Sequence, residues 1–220
     1  MARWVPASLC LLVAVEAWAA PPRLELQAAA RREVALMAGA VVSWPVHRLR
    51  PAMIRGLAEA TRGSDDESRA RSFLQAHPAL FGGEGSSLAV RDVQSTADRR
   101  VVRFDQRYHG LPVFGAGVSV VLDQSDRVRA VSSEMEPLRL PSIQPGISQG
   151  AAVGAVCARL DREIPTLFNA RLGILAEGTP RLVYRVALPP TVDPEIRWHL
   201  VDALSGEYVG WRRAAPAGGR

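Results

Sequence analysis

The fold of this 220-residue chain is decided by the stretch Gln106-Arg107-Tyr108-His109-Gly110-Leu111-Pro112-Val113-Phe114-Gly115, which runs into the apolar segment Val118-Ser119-Val120-Val121-Leu122-Asp123. A His-Gly corner, a proline two residues later and a glycine after an aromatic residue predict that two strands turn sharply here. We also expect the backbone to pass close to a neighbouring group at Gly110 and Gly115.

Alternating apolar residues predict strands on both sides of this stretch. The predicted strands are Leu88 to Val93, Arg100 to Tyr108, Val113 to Leu122 and Arg127 to Ser133. Turn-forming residues separate them, with Asp123-Gln124-Ser125-Asp126 between the last two. This order predicts an antiparallel meander of three or four strands.

The residues ahead of the meander predict one short strand and two helices. Residues 40–44 predict the strand, and residues 47–61 predict a weak helix. A clearer helix follows, with Ser64 as N-cap and Glu67 completing a capping box, and it ends before Pro78. A helix followed by such a meander predicts an α+β layer pair in which the helix covers the apolar face of the sheet.

The second half of the chain shows the same order of elements at shorter length. A helix is predicted over residues 149–161, followed by strands at 170–176, 181–188 and 196–203. Ser205-Gly206 supplies a turn into Glu207-Tyr208-Val209. The predicted fold class is therefore α+β, with two small helix-on-antiparallel-sheet modules.

The N-terminus has the features of a secretory signal peptide over residues 1–19, with a short apolar core and cleavage near Ala19 or Ala20. This predicts a secreted or periplasmic protein that has no membrane attachment after cleavage. Cleavage removes Cys10 and leaves Cys157 alone in an apolar helical run, so no internal disulfide is expected. We expect Cys157 to be a buried small apolar residue; a thiolate that coordinates a partner's zinc is the alternative.

Charge and composition argue against a nucleic-acid partner. The formal net charge is +5, and all 27 basic residues are arginines. Guanidinium groups bind phosphate well, but these arginines are scattered among aspartates and glutamates. They form no basic stripe with interleaved aromatic residues, which is the pattern of nucleic-acid-binding surfaces.

The sequence offers no motif for catalysis. Each of the four histidines lacks the context of an H-E-x-x-H zinc site, and the serine pairs lack a nucleophile elbow. Gly82-Gly83-Glu84-Gly85 leads into a strand rather than into a phosphate-binding helix. We therefore predict a protein that is not an enzyme, with no catalytic residue, no metal ligand and no cofactor.

Two motifs resemble known families. Residues 106–115 resemble the core signature of the fungalysin/thermolysin propeptide (FTP) domain, written Gln-x-x-x-Gly-(Val/Ile)-Pro-Val-(Phe/Tyr)-Gly. Residues 201–207, Val-Asp-Ala-Leu-Ser-Gly-Glu, resemble the closing hairpin of a PepSY domain, and Leu182 to Val186 resemble its central strand. The motif and turn residues are Gln106, Gly110, Gly115, Asp202, Gly206 and Glu207. One departure is Asp126, which occupies a turn where the FTP family often has glycine.

The two modules in this order are similar to the propeptides of thermolysin-like secreted zinc metalloproteases, here without the protease domain. The resemblance implies cystatin-like and PepSY-like modules. It divides the chain into a signal peptide at 1–19, an FTP-like domain at 31–138, a Pro-rich linker at 139–147, a PepSY-like domain at 148–212 and a flexible tail at 213–220.

The resemblance implies that the partner is the catalytic domain of a secreted zinc metalloprotease, which this chain would inhibit and help to fold. Aromatic and arginine side chains on a rigid hairpin corner make good anchors. The candidate contacts are therefore Arg107, Tyr108, Pro112 and Phe114, although Phe114 could instead fill the core, where we also expect Trp198. Two other functions stay open: an envelope or extracellular interaction module with no protease target, and a stand-alone inhibitor of non-cognate proteases.

Overall fold

The structure is a computed structural model that describes residues 23–195 and 197–213. The predicted signal peptide and its cleavage site lie outside the described residues. Nearly all of the predicted C-terminal tail does too.

The described residues form four helices and ten strands, and this mixture of helices with largely antiparallel strands confirms the α+β class. In chain order they are α1 (Arg23–Ala35), β1 (Val41–Ser43), β2 (Met53–Ala60), α2 (Asp66–Ala76), α3 (Pro78–Phe81), β3 (Ser86–Ser95), β4 (Arg99–Tyr108), β5 (Leu111–Asp123), β6 (Arg127–Ser133), α4 (Gln149–Leu160), β7 (Asn169–Leu175), β8 (Arg181–Ala187), β9 (Arg197–Asp202) and β10 (Tyr208–Arg213).

The first half of the chain folds as an antiparallel sheet in the order β1-β2-β6-β5-β4-β3. The predicted meander of three or four strands is present with four strands, β3 to β6. Helices α2 and α3 bury Phe73 and Leu80 against this sheet, where they meet Phe104, Val120 and Leu122 in a first core. Burial of such apolar surface is the main force that holds the helices to the sheet.

The second half forms strands β7-β8-β9-β10, each antiparallel to the next. Helix α4 begins at the N-cap Ser148, whose side chain accepts a hydrogen bond from the amide of Ala151. Its residues Val153 and Val156 are fully buried with Ile174 in a second core. This half therefore has its own helix, sheet face and core.

Strand β5 joins the two halves into one continuous sheet. Its N-terminal part pairs in parallel with β7, with Val113 opposite Ile174 and Phe114 opposite Leu175. The segment predicted as a linker, 139–147, packs Leu140, Ile143 and Ile147 against the second core. The two halves are thus linked by backbone hydrogen bonds as well as by the chain.

The predicted helix over residues 47–61 is wrong, because most of this segment is strand β2. Ile54 and Leu57 are both buried, and their spacing of three residues imitates a helical face. The spacing arises from an irregularity in β2, where the pairing with β6 shifts between Arg55 and Glu59 and Gly56 has a φ of 77°. Three residues of β2 therefore lie opposite one residue of β6, and a bulge of this kind disrupts the alternation so that both apolar side chains turn inward.

The predicted start of α2 is off by one residue. Asp65, rather than Ser64, is the N-cap, and Ser68, rather than Glu67, completes the capping box. The Asp65 side chain accepts from the amide of Ser68 at 2.8 Å, and the Ser68 hydroxyl lies 3.1 Å from the Asp65 amide. The hydrogen bond from the Ser68 backbone lowers the pKa of Asp65, consistent with a carboxylate at a helix N-terminus.

Candidate partner-binding surface

The hairpin between β4 and β5 turns on His109 and Gly110, whose φ values are 46° and 83°. Two successive positive φ values are the signature of a type I′ turn, which suits the twist of the strands. The predicted sharp turn is confirmed. The predicted close approach is wrong, since a Cβ at Gly110 or at Gly115 would meet no atom within 4 Å. Glycine is favoured at both positions by its backbone conformation alone.

Gly115 lies in a wide bulge of β5. Asp105 pairs with Gly117 and Arg107 pairs with Pro112, so four residues of β5 lie opposite one residue of β4. The bulge changes the alternation of the strand, so that residues 113 and 116 both face the second core. It also frees the backbone of β5 to pair with β7. The second glycine of the motif is therefore where the strand passes from one half of the sheet to the other.

Gln106 fastens the hairpin to the chain that follows β6. Its side chain is 1 % exposed, and its Nε2 donates to the carbonyl of Glu136 at 2.9 Å and to the Ser86 hydroxyl at 3.3 Å. Its Oε1 accepts from the amide of Glu136 at 3.3 Å. The amide thus acts as a backbone-like partner for residue 136, which explains why a glutamine suits this motif position.

Phe114 lies across β7 in space left by a glycine. A Cβ at Gly173 would fall 2.5 Å from Phe114 Cζ and 2.7 Å from the carbonyl oxygen of Pro112. A glycine inside a strand often marks such a close approach. Phe114 is half-buried and lies on the sheet face turned away from α4.

Phe114, Arg185 and Trp198 form a three-layer stack on this face. The guanidinium carbon of Arg185 lies 4.5 Å from the Phe114 ring centroid and 4.1 Å from that of Trp198, within cation–π range. Burial lowers the pKa of Arg185, and the neighbouring charge of Arg171 lowers it further. We call the surface formed by Phe114, Arg171, Arg185 and Trp198 the stacked face.

The structure places the predicted partner contacts in different environments. Arg107 and Pro112 are half-buried beside the turn, where Arg107 donates to the carbonyl of Gly110 at 3.1 Å. Tyr108 is only 7 % exposed and packs in the second core, so its ring is a core element rather than a surface anchor. Phe114 is half-buried on the stacked face, and so is Trp198, which we expected in the core.

The second motif forms a turn built around Asp202. Its Oδ1 accepts from the amides of Leu204 and Ser205, each at 2.9 Å. Burial raises the pKa of Asp202, but these hydrogen bonds outweigh it and lower the pKa overall. Gly206 has a φ of 81°, and Glu207 is exposed while its carbonyl accepts from the Asp202 amide. The turn residues of this motif therefore shape the β9–β10 connection.

The second half also contains a buried polar cluster that was not predicted from the sequence. His199 has its Nδ1 3.0 Å from the Tyr208 hydroxyl and its Nε2 3.0 Å from Oδ2 of Asp193. Burial raises the pKa of Asp193, but hydrogen bonds from Arg197 and His199 outweigh it and hold the pKa at about 2.

A hydroxyl, an imidazole and a carboxylate in a chain are also the parts of a nucleophilic site. Here the side chains of His199 and Asp193 are both 0 % exposed, so a substrate could not reach the imidazole. The cluster ties the loop before β9 to β9 and β10. Pro189 and Pro190, at the start of this loop, are the only sequence signal that the loop is ordered.

Two classes of feature are missing from residues 23–195 and 197–213. No group of three histidine, cysteine, aspartate or glutamate side chains is arranged to hold a metal ion. The helices in these ranges are also too short or too polar to cross a bilayer.

No curated protein matches this chain. Among solved structures, a similar one is the Bacillus megaterium YpeB C-terminal domain, with a TM-score of 0.39 and 12 % sequence identity, covering 89 % of this chain and 98 % of that one. Residues 86–135 match the family model of the Fungalysin/Thermolysin Propeptide Motif. The match spans β3 to β6, including the turn, the bulge and Phe114. The resemblance of this segment to the fungalysin/thermolysin propeptide motif is therefore confirmed.

Proposed function

We propose that this chain is a secreted propeptide-like protein that binds the catalytic domain of a thermolysin- or fungalysin-type zinc metalloprotease, inhibits that protease and assists its folding. The observation that carries the proposal is the match of residues 86–135 to the propeptide motif. The signal peptide predicted at residues 1–19 supports secretion to the periplasm or beyond. The PepSY-like reading of residues 148–212 is part of the same proposal.

An inhibitor of this kind needs a preformed surface, because ordering flexible groups on binding lowers affinity. The hairpin at His109 and Gly110 offers one. It is fixed at its base by the hydrogen bonds of Gln106 and at its bulge by pairing with β7. We propose that Arg107, Pro112 and Phe114 contact the protease from this surface.

Assistance in folding follows from the same binding. A surface that is complementary to the folded catalytic domain also stabilises a native-like transition state for folding, provided that it binds that state better than the unfolded chain. No catalytic group is needed, and we propose that the chain itself performs no chemistry.

The test is inhibition of a thermolysin-like metalloprotease from the same organism by purified residues 20–220. We expect a saturable, stoichiometric loss of peptidase activity that added zinc does not reverse, which separates inhibition from chelation. The same protein should raise the yield of active protease when the denatured catalytic domain is refolded.

The Phe114→Ala variant should weaken inhibition by about tenfold or more, as removal of a central aromatic anchor does. The Arg99→Gln variant, at an exposed position at the far end of β4, is the matched control and should inhibit normally. If the wild-type protein neither inhibits nor improves refolding, the proposal is refuted and an envelope interaction module is favoured.

A further inference from the structure

Two arginines face each other on the stacked face without an acidic neighbour between them. Arg171 of β7 lies directly opposite Arg185 of β8 in an antiparallel register. Like charges in such positions destabilise a sheet. Neither side chain forms an ion pair or a side-chain hydrogen bond with any residue in 23–195 or 197–213. The pair thus has a like-charge cost to stability that no ion pair among the described residues offsets.

Some arginines elsewhere in the sheet are paired with acidic residues. On the first half of the sheet, Arg103 pairs with Asp92 at 3.0 Å and Arg129 pairs with Asp123 at 2.6 Å. Arg171 and Arg185 differ from these two arginines because the residue directly opposite each of them on the neighbouring strand is another arginine.

Two aromatic rings restrict the movement of the Arg185 guanidinium. Its guanidinium carbon lies 4.5 Å from the ring centroid of Phe114 and 4.1 Å from that of Trp198, and its N–H groups donate to no side chain among the described residues, so they are available to a partner. A planar fork of donors binds a carboxylate through two parallel hydrogen bonds. Arg185 is half-buried, whereas Arg171 is exposed, and partial exclusion of water around Arg185 strengthens such a pair.

We propose that Arg171 and Arg185 form a carboxylate-binding site, at which an acidic side chain of the partner protein docks on the stacked face. The identity of that partner rests on the proposed function: the carboxylate belongs to the protease catalytic domain. Leu175, Val183 and Leu200 form a small apolar cluster with Phe114 on the same side of the sheet, so an acidic residue beside an apolar one fits the surface best.

The small extent of the unpaired positive charge on this surface favours a protein carboxylate over a nucleic acid as the ligand. Arg212 lies opposite Trp198 and is already paired with Glu177, so the unpaired positive charge beside the rings comes from Arg171 and Arg185 rather than from a long basic groove. Phe114 and Trp198 each already have Arg185 over the ring, which leaves less aromatic surface to stack on bases. Proteins that bind single strands combine a basic groove with free aromatic faces, whereas here both rings are engaged by an arginine.

The first experiment tests the site without the protease. Residues 20–220 labelled with ¹⁵N are titrated with a capped hexapeptide that carries two glutamates beside a leucine, and with the same peptide carrying glutamines. We expect saturable shifts of the Arg185 Nε–H and Trp198 indole signals with the glutamate peptide, weakened by salt. The Arg171→Gln variant should bind it at least tenfold more weakly, and Arg99→Gln should bind it normally.

The folding of the variants provides a further check. Because Arg171→Gln removes a like-charge contact, we expect its melting temperature to equal or exceed that of the wild type while binding weakens. Equal responses to the two peptides, or binding that survives both Arg171→Gln and Arg185→Gln, would overturn the site. Tighter and competing binding of a single-stranded oligonucleotide at the same signals would overturn the assignment to a protein partner.

The second experiment adds the metalloprotease and separates the two proposals. We expect the double variant Arg171→Gln/Arg185→Gln to inhibit at least tenfold more weakly than the wild type. If both proteins inhibit equally, the carboxylate site is refuted and the proposed function stands. If the wild type fails to inhibit while the glutamate peptide still binds, the proposed function is refuted and the carboxylate site stands.

Discussion

Replacing Gln106 with leucine tests whether the motif glutamine fastens the hairpin to residue 136. The change keeps the size of the side chain but removes three hydrogen bonds, of 2.9, 3.3 and 3.3 Å. A neutral hydrogen bond contributes about 1 kcal/mol net, and a buried group left without a partner adds to the loss. The backbone amide and carbonyl of Glu136 both lose their partner, while leucine recovers some apolar burial, so we expect a net loss of about 2–3 kcal/mol.

Urea unfolding followed by circular dichroism measures this loss. For a chain of this size each kcal/mol lowers the melting temperature by about 2–4 °C, so a parallel thermal melt should fall by roughly 4–12 °C. Gln75→Leu, at an exposed position on α2, is the matched control, and surface changes usually stay within about 0.5 kcal/mol. If Gln106→Leu unfolds at the same urea concentration as this control, the hydrogen bonds of Gln106 do not hold the hairpin in place.

Three further outcomes can be checked on the same protein. Gly115→Ala should cost about 1 kcal/mol in urea unfolding, because its methyl group has open space and only the positive φ is strained; no loss would contradict this. Burial raises the pKa of Asp193, but stronger hydrogen bonds lower it to about 2. The carboxylate of Asp193 therefore stabilises the fold above the unfolded pKa of about 3.9, and this contribution is lost as pH falls through about 2. Asp193→Asn should therefore be less stable at pH 7, with a gap in melting temperature that closes between pH 4 and 2; a gap constant across that range would argue against the assigned role. Burial also raises the pKa of Cys157, which is 1 % exposed, so in a Cys10→Ser background a thiol reagent should label it only as fast as the protein unfolds, and immediate labelling would show an open site.

Local patterns allowed the meander to be predicted from sequence. Strands β3 to β6 alternate apolar and polar residues over most of their length, and turn residues separate them. Strand β2 was predicted as a helix because its bulge at Gly56 gives Ile54 and Leu57 the spacing of a helical face. A bulge depends on the partner strand, β6, which lies more than sixty residues further along the chain, so a single window of sequence could not reveal it.

The stacked face could not be predicted, because its members come from four strands. Phe114 lies on β5, Arg171 on β7, Arg185 on β8 and Trp198 on β9. Only the parallel pairing of β5 with β7 brings Phe114 next to the other three residues. Gly173, a glycine within a predicted strand, was the one available signal of a close approach. The same distance in sequence explains Tyr108, whose ring enters a core formed mainly by residues beyond 138.

The bulge at Gly115 connects the two halves of the molecule in both packing and surface. A cation–π contact requires its ring within about 6 Å of the cation, and Phe114 meets this requirement for Arg185 because β5 bends onto β7 at the bulge. A change at Gly115 should therefore lower stability and partner affinity together. Arg171 differs, because its charge opposes folding and, in our proposal, favours binding. Substitution there should raise stability while it lowers affinity, as expected where a site is retained at a cost to the fold. Gly115 thus shapes the binding surface, whereas Arg171, in our proposal, contacts the partner from it.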